Sequence, residues 1–265
     1  DQRGFIGIFL HHCLLHSFHG SGLINIANQW PRAGKSLQKF PFEDLIEKQV
    51  QTSTSATLDG DPVAVKGLFA ATTAGITGIA DDLMAAIPSP QPIACRAGCS
   101  HCCNSREIHV APIEATAVFQ AIGALSNEYQ QRIRDVAHGQ SGQKDQDHAA
   151  ERPLAQLPCP LLEDGVCLIY EQRPMVCRGF NSFDAVVCER KKNGDATAEI
   201  KGHAVPDAVW QAALRGLQRG SVDLGRSGDL LDLTRALEIM FENPDAIADW
   251  ATGGKILDGA KSRMA

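Results

Sequence analysis

Apolar positions recur at helical spacing in several segments of this chain. The first clear run follows Pro62, and its members recur three or four residues apart: Leu68, Thr72, Ile76, Ile79, Leu83 and Ile87. This spacing is typical of one face of an α-helix. Prolines at positions 88, 90 and 92 end the predicted helix, because proline lacks the backbone N–H that a helix needs. The chain therefore leaves this helix shortly before Cys95.

Four further helices are predicted downstream. One begins at Pro112 and continues to Leu125, since proline is favoured at the first helical position. A second covers residues 129–137. Two amphipathic helices follow at 206–217 and 229–241. We expect the last one to bury the face that carries Leu230, Leu233, Leu237 and Met240.

Two segments lack this periodicity. Residues 1–55 end in a Gln/Thr/Ser stretch, and we interpret them as an N-terminal extension or linker. Residues 139–152 are polar and predict a solvated loop. The expected organisation is therefore an extension at 1–55, a cysteine-cluster metal-binding domain at 56–220 and a C-terminal helical segment at 221–265.

The predicted fold is mainly α, with helices flanking an irregular, loop-rich cysteine cluster that binds metal. Composition supports the loop-rich character, because the chain has 24 glycines and 13 prolines while aromatics make up only 6%. A packed core of modest side chains needs a further source of stability, and a metal centre supplies one.

Net charge and hydropathy limit the classes of binding partner that we expect. A formal charge of −6 gives no general attraction to nucleic acid or to an anionic membrane surface. The most apolar run, residues 5–15, is shorter than the ~20 residues of a membrane span. We therefore expect a cytoplasmic protein whose partners are a metal ion or cluster and a possible protein substrate.

Cysteine is the unusual residue in this chain. There are nine, and eight of them lie between positions 95 and 188. In a reducing compartment such clusters are more often metal ligands or catalytic groups than disulfides. The first group, Cys95-x3-Cys99-x2-Cys102-Cys103, lets three sulfurs converge through a tight turn at Gly98. The adjacent Cys102 and Cys103 point differently, so one of them can serve a second metal.

The second group is more widely spaced. Cys159, Cys167, Cys177 and Cys188 are separated by 7, 9 and 10 residues, which suits ligands that arrive from separate loops. We expect this group to be irregular. Five arginines lie near the cysteines in sequence and are candidates to offset thiolate charge: Arg96, Arg106, Arg173, Arg178 and Arg190.

The two groups together resemble a known family. The string C-x3-C-x2-C-C, then a Pro-Ile-Glu-Ala helix start at 112–115, then C-P-L-L…C-x-I-Y-x-x-R-P-x-x-C-R-G-F is similar to the YkgJ-type zinc- or iron-chelating domain. The resemblance implies zinc or an iron-sulfur cluster as cofactor, and it implies these ligands: Cys95, Cys99, Cys102, Cys103, Cys159, Cys167, Cys177 and Cys188. It also implies supporting roles for Tyr170, Arg173, Pro174 and Arg178.

Several functions fit this pattern. The leading hypothesis is a metal-binding protein whose thiolate-held centre organises the fold. Some relatives are flagellin lysine N-methylases, so the resemblance also admits an iron-sulfur-dependent enzyme that modifies protein. The C-x3-C-x2-C spacing occurs in radical S-adenosylmethionine enzymes, but helices and cysteine loops follow it here instead of a barrel pattern. A third functional class is a structural adaptor that binds a partner through its C-terminal helices. Within the metal centre, His101 or His109 can replace one cysteine as a ligand.

Overall fold

A computed structural model describes residues 40–60, 64–104, 107–149 and 157–262. These ranges hold nine α-helices and two small two-stranded sheets, which confirms the predicted mainly α fold. The helices are α1 (Pro41–Gly60), α2 (Val65–Ala86), α3 (Pro112–Ile122), α4 (Asn127–Ala149), α5 (Met175–Gly179), α6 (Ala185–Lys192), α7 (Ala204–Val222), α8 (Leu233–Glu242) and α9 (Ala246–Ala251).

The strands are short and antiparallel. β1 (His109–Val110) pairs with β4 (Leu231–Asp232), placing His109 opposite Asp232. β2 (Leu162–Glu163) and β3 (Val166–Cys167) form a hairpin. The first pair therefore fastens the chain before α3 to the chain before α8.

Helix α2 follows its predicted pattern. Leu68, Thr72, Ile76, Ile79 and Leu83 are all buried, as one face of a helix requires. The helix ends at Ala86, and Ile87 leaves helical geometry because Pro88 follows it. His203, at the start of α7, is hydrogen-bonded to the carbonyl of Ile87, with 3.1 Å between Nε2 and the oxygen. The end of α2 is thus fixed beside the start of α7.

The four downstream helices are also confirmed, as α3, α4, α7 and α8. On α8 the predicted face is buried at Leu233, Leu237 and Met240, while Leu230 packs partly buried against the core. Asp232 begins this helix by accepting a hydrogen bond from the backbone N–H of Arg235 at 3.0 Å.

The described part of the predicted extension at residues 1–55 is helical. The Gln/Thr/Ser stretch lies inside α1, a 20-residue helix that buries Phe42, Ile46, Val50 and Leu58. Helix α1 packs along α7, where Arg215 pairs with Glu43 at 2.7 Å and with Glu47 at 2.8 Å. Tertiary packing overrides the weak local signal here. Residues 1–39 lie outside the described part of the chain.

The predicted loop at 139–152 is wrong as far as residue 149. Helix α4 continues through this polar stretch and buries Ser141, Lys144 and Asp147. The Lys144 ammonium pairs with Asp232 and lies 3.4 Å from Glu107. The helix persists because its polar face meets partners in β4 and α8, not water.

One apolar core joins these elements. It includes side chains of α1, α2, α3 and α7, and it also takes in Leu161, Ile169 and Met175 from the region of the second cysteine group. None of the helices in the described ranges is apolar over enough length to cross a membrane. The cysteine region is therefore part of the same packed body as the helices.

Candidate metal centre

The first cysteine group lies in the connection between α2 and α3. The backbone N–H of Cys99 donates to the carbonyl of Arg96 at 3.0 Å, and Gly98 has φ +80°, so the predicted tight turn is present. Cys102 and Cys103 then form a single 3₁₀ turn, in which the N–H of Cys103 donates to the carbonyl of Ser100. The four cysteines thus follow each other through two consecutive turns.

The second group begins in direct contact with the first. The backbone N–H of Cys159 donates to the carbonyl oxygen of Cys103 with an N···O distance of 2.6 Å. This bond joins residues 56 positions apart in the sequence. It is the clearest backbone link between the two cysteine groups.

The segment after Cys159 is more regular than the sequence suggests. Asp164 and Gly165 both have positive φ, at 47° and 78°, and form the two-residue turn of the β2–β3 hairpin. The hairpin places Cys167 opposite Leu162. A Cβ added at Gly165 would lie 3.7 Å from the hydroxyl of Ser100, so the hairpin tip rests beside the first group. The Glu-Asp-Gly-Val string could have predicted this hairpin.

The last two cysteines are on helices. Cys177 lies in α5 and Cys188 is buried in α6, which packs on the 3₁₀ turn of Cys102. The N–H of Ala94 donates to the carbonyl of Ser182 at 2.8 Å, and the N–H of Ser182 donates to the Cys95 thiol. The chain before α6 is therefore fastened to the first cysteine.

The thiols fall into two neighbouring sets. Cys103 hydrogen-bonds the Cys102 thiol and lies within electrostatic range of Cys159 and Cys177, while Cys159 is in range of Cys167. The other set comprises Cys95 with Cys99 and Cys188. Cys102 interacts with both sets.

The thiols lie around a shared region, but their sulfur atoms do not converge as they would around a single bound ion. None of the eight described cysteines is in a disulfide. Within the described ranges, no three cysteine sulfurs lie within 4.8 Å of one another. Thiolates on a shared zinc ion lie about 3.8 Å apart, given Zn–S bonds of about 2.3 Å. Modest side-chain rotations are therefore part of any metal-loaded arrangement.

The protein environment raises the pKa values of four of the thiols, Cys95, Cys103, Cys159 and Cys167. Burial raises the pKa of Cys159 to about 12 and also raises that of Cys167. The hydrogen bond with Cys102, followed by burial, raises the pKa of Cys103. Without added positive charge these groups stay protonated at neutral pH, and a bound cation reverses that balance while releasing protons.

Backbone donors are already placed to support thiolates. The N–H of Leu161 points at the Cys159 sulfur and the N–H of Ile169 at the Cys167 sulfur, and each lowers the pKa of its thiol. Both donors lie two residues after their cysteine, as in a metal-binding turn. The donor set of thiols with N–H support fits a soft or borderline metal such as zinc or iron.

The arginines offset thiolate charge less directly than the sequence suggests. Arg173 lowers the pKa of Cys167 and stacks on the Tyr170 ring, with its guanidinium carbon 3.8 Å from the ring centroid. Arg178 instead donates to the carbonyls of Arg173 and Glu171 and lies over Trp210. It therefore braces the backbone between Cys167 and Cys177.

Arg132 on α4 was missed by the sequence reasoning. Its charge lowers the pKa of Cys159, and its guanidinium donates to the carbonyl of Pro160 at 3.3 Å. No local motif marks it, because it lies 27 residues before Cys159. Of the other arginines, Arg96 is exposed, Arg190 pairs with Asp195 at 2.6 Å, and Arg106 lies outside the described part.

The buried carboxylate of Glu114 anchors the backbone of the second cysteine group through hydrogen bonds. Glu114 is fully buried, and its two oxygens accept from the N–H of Ala111 at 2.9 Å and from the N–H of Met175 at 2.8 Å. It thereby joins the start of α3 to the start of α5. Burial raises the pKa of Glu114 to about 7, against the lowering effect of those two donors and of Arg178. Glu114 thus positions the helix that carries Cys177.

The two candidate histidines have different surroundings. His101 directly precedes Cys102, on the first cysteine group itself. His109 lies in β1, where its Nε2 is 3.9 Å from Glu107 and its buried Nδ1 has no hydrogen-bond partner. Their role as substitute ligands stays a prediction.

A groove of about 560 Å³ lies beside the centre, between α2, α3 and the turn after Cys167. Its lining includes small side chains such as Ala117 and Ala121, and it also includes Arg178. Leu168 and Ile169 line the groove, whereas the preceding Cys167 does not. The groove therefore reaches the backbone that supports the thiols and not the thiols themselves.

Comparison with known protein families gives a match to part of the chain. Residues 94–199 match the CxxCxxCC family, which is described as "Putative zinc- or iron-chelating domain". Comparisons with curated proteins and with solved structures give no match. The matched range contains all eight clustered cysteines, Glu114, Arg173 and Arg178. The family match at residues 94–199 thus agrees with the resemblance that the cysteine pattern indicated.

Proposed function

We propose that this protein binds zinc or iron through the eight clustered cysteines, and that the bound metal organises the fold around them. The observation that carries the proposal is the contact between the two cysteine groups at Cys103 and Cys159. That contact brings distant thiols together without a disulfide, which is the arrangement a thiolate centre needs.

The proposal assigns the thiols to two adjacent metal positions. One position takes Cys95, Cys99 and Cys188, and the other takes Cys103, Cys159, Cys167 and Cys177. Cys102 interacts with members of both sets and is the ligand shared between them. Two separate positions also account for eight cysteines where a single tetrahedral ion needs only four.

A comparison of free energies supports a structural role for the metal. A thiolate zinc site supplies roughly 10 to 16 kcal/mol of apparent binding free energy, whereas a whole domain is stable by about 5 to 15 kcal/mol. Leu161, Ile169 and Met175 tie the cysteine segment to the main core. Metal binding there stabilises the packed body as a whole, in a reducing compartment such as the cytoplasm.

The direct test is elemental analysis with absorption spectroscopy on protein purified without oxygen. We expect stoichiometric zinc or iron. Charge-transfer absorption in the visible range would identify iron-sulfur, and a colourless protein would identify zinc. Protein that contains neither metal in stoichiometric amount, and that takes up neither on reconstitution, would overturn the proposal.

Single substitutions test the assignment of ligands. Cys188→Ser removes a thiol from the first position and Cys159→Ser removes one from the second, so each variant is expected to lose part of the metal and retain the rest. Cys13→Ser is the matched control, because Cys13 is the one cysteine outside the cluster in sequence. Complete loss of metal in both variants would show a single shared centre, and unchanged metal in both would remove these cysteines from the ligand set.

A further inference from the structure

Apart from the cysteines, three side chains of types that can bind a metal lie together on the surface formed by α4 and α8. They are His138 on α4 with Glu238 and Glu242 on α8, and we name them the α4–α8 cluster. The Nδ1 of His138 lies 2.9 Å from an oxygen of Glu238 and 3.8 Å from an oxygen of Glu242. One ligand atom from each residue lies within 4.8 Å of the other two.

The sequence explains why the two carboxylates face the same way. Glu238 and Glu242 are four residues apart on a helix, so their side chains are neighbours on one face. Two like charges at this spacing destabilise a helix. A cation between the carboxylates turns that repulsion into attraction.

The ligand atoms are spaced close to the separations found around a first-row metal ion. Nitrogen and oxygen ligands bind such ions at about 2.0 to 2.2 Å, which puts neighbouring ligand atoms roughly 3.0 to 3.4 Å apart. The two measured separations, 2.9 and 3.8 Å, lie on either side of that range. Shifts of about half an ångström in exposed side chains are enough to close the site on an ion.

The frame that holds the cluster is rigid. Helices α4 and α8 pack together, and Ile133 and Ala137 on α4 and Leu237 on α8 are buried. The buried pair of Lys144 with Asp232 fixes the same two elements further along α4. Because the ligands stand on two packed helices, their backbone positions are already fixed before an ion binds.

The exposure of the three side chains leaves room for further ligands. The side chains of His138 and Glu242 are 74% and 60% exposed, whereas Glu238 is 19% exposed. Water can therefore complete the coordination sphere. Arg134, four residues before His138 on α4, lies over the Phe241 ring at 5.0 Å.

We propose that the α4–α8 cluster binds one divalent transition-metal ion through the imidazole of His138 and the carboxylates of Glu238 and Glu242. This site uses nitrogen and oxygen ligands, and it is independent of the cysteine centre, whose thiolates select softer metals. It lies outside residues 94–199 for two of its three ligands.

The test uses Mn²⁺ alone, because carboxylate and imidazole ligands hold Mn²⁺ while thiolates favour softer ions. Electron paramagnetic resonance measures free Mn²⁺ during titration of the full chain with its cysteine centre loaded. We expect one bound equivalent, and in His138→Ala and Glu242→Gln an affinity at least about tenfold lower.

Glu199→Gln is the matched control, since Glu199 is an exposed carboxylate that pairs with Lys201 outside the cluster. It removes the same charge and is expected to leave Mn²⁺ binding unchanged. Circular dichroism confirms that each variant is folded. Equal Mn²⁺ affinity in wild type and His138→Ala would overturn the proposal and leave only a hydrogen-bonded surface pair, while the cysteine centre would be unaffected.

Discussion

Glu114 supports the second cysteine group without being one of its proposed ligands. Its carboxylate is fully buried and accepts one backbone hydrogen bond from each of two elements. A buried carboxyl with raised pKa binds its proton more tightly in the folded chain than in the unfolded chain. Its ionisation therefore opposes folding.

The first prediction concerns Glu114→Gln. The pKa of Glu114 rises from 4.5 to about 7 on folding, so the wild type loses stability as the pH rises through this window, by up to about 3 kcal/mol. The neutral amide of the variant does not titrate. We expect urea unfolding at a series of pH values to show the stability difference moving in favour of the variant from acid to neutral pH.

Comparing the two proteins at each pH removes the titration of the thiols, which both share. The amide offers only one accepting oxygen, so the variant is expected to lose one of the two hydrogen bonds to Ala111 and Met175. A stability difference that stays constant across the window would contradict the assigned pKa.

The second prediction concerns the turn of the β2–β3 hairpin. Gly165 has φ +78°, where a Cβ costs about 1 to 2 kcal/mol, so Gly165→Ala is expected to destabilise the chain by that amount. The hairpin carries Cys167, and metal affinity should fall as well. Urea unfolding and a zinc competition assay measure the two effects.

Gly67→Ala is the control for this substitution. Gly67 is on the exposed face of α2, and a Cβ there meets nothing within 4 Å. Alanine favours a helix over glycine by about 0.5 to 1 kcal/mol, so this variant should be slightly more stable. Equal effects of the two substitutions would contradict the positive φ at Gly165.

Among the helices, the pairing of α1 with α7 depends on close approach. A Cβ at Gly220 of α7 would lie 2.5 Å from the Cβ of Thr54 and 2.8 Å from the carbonyl oxygen of Gln51 on α1. Such distances require the two helices to separate. The glycine therefore sets the interhelical distance that buries Val50 and Leu58.

The third prediction is that Gly220→Ala destabilises the chain by about 1 to 3 kcal/mol, because overpacking forces the helices apart. Gly142→Ala on α4 is the matched control, since Gly142 is also within a helix but a Cβ there meets nothing within 4 Å. Thermal unfolding followed by circular dichroism compares them. A stabilising effect of Gly220→Ala would show that α1 does not pack on α7 in solution.

For the whole molecule, the shared core predicts cooperative loss of structure when metal is removed. Leu161, Ile169 and Met175 contribute both to the cysteine region and to the main core. Because metal binds the folded chain, a chelator is expected to lower the Tm of helix unfolding in one transition, and added metal should restore it. Two separate transitions, or an unchanged Tm, would contradict this fourth prediction.

Some predictions made from the sequence remain predictions, because neither the structure nor the comparisons test them. The division at residues 55 and 220 is one of them, although both positions fall within helices, α1 and α7. The lysine methylase, radical S-adenosylmethionine and adaptor hypotheses are others. The adaptor hypothesis required an exposed face on α8, and Leu233, Leu237 and Met240 are buried there.

The sequence was sufficient for features that depend on local chemistry. Apolar spacing and the following prolines determine α2, and Pro112 with Glu114 determines the start of α3. The crowding of eight cysteines within residues 95–188 points to metal because packing alone rarely places thiols next to each other. These signals arise from neighbours within a few residues, so they survive without knowledge of the fold.

Tertiary structure decided the features that depend on partners far along the chain. Helix α1 forms in a polar sequence because α7 offers it a close-packed groove and Arg215 pairs with Glu43 and Glu47. Helix α4 extends through a predicted loop because Lys144 meets Asp232, 88 residues away. The division of the thiols into two sets and the joining of His138 to Glu238 likewise depend on folding. Each rests on contacts between residues whose separation no local pattern encodes.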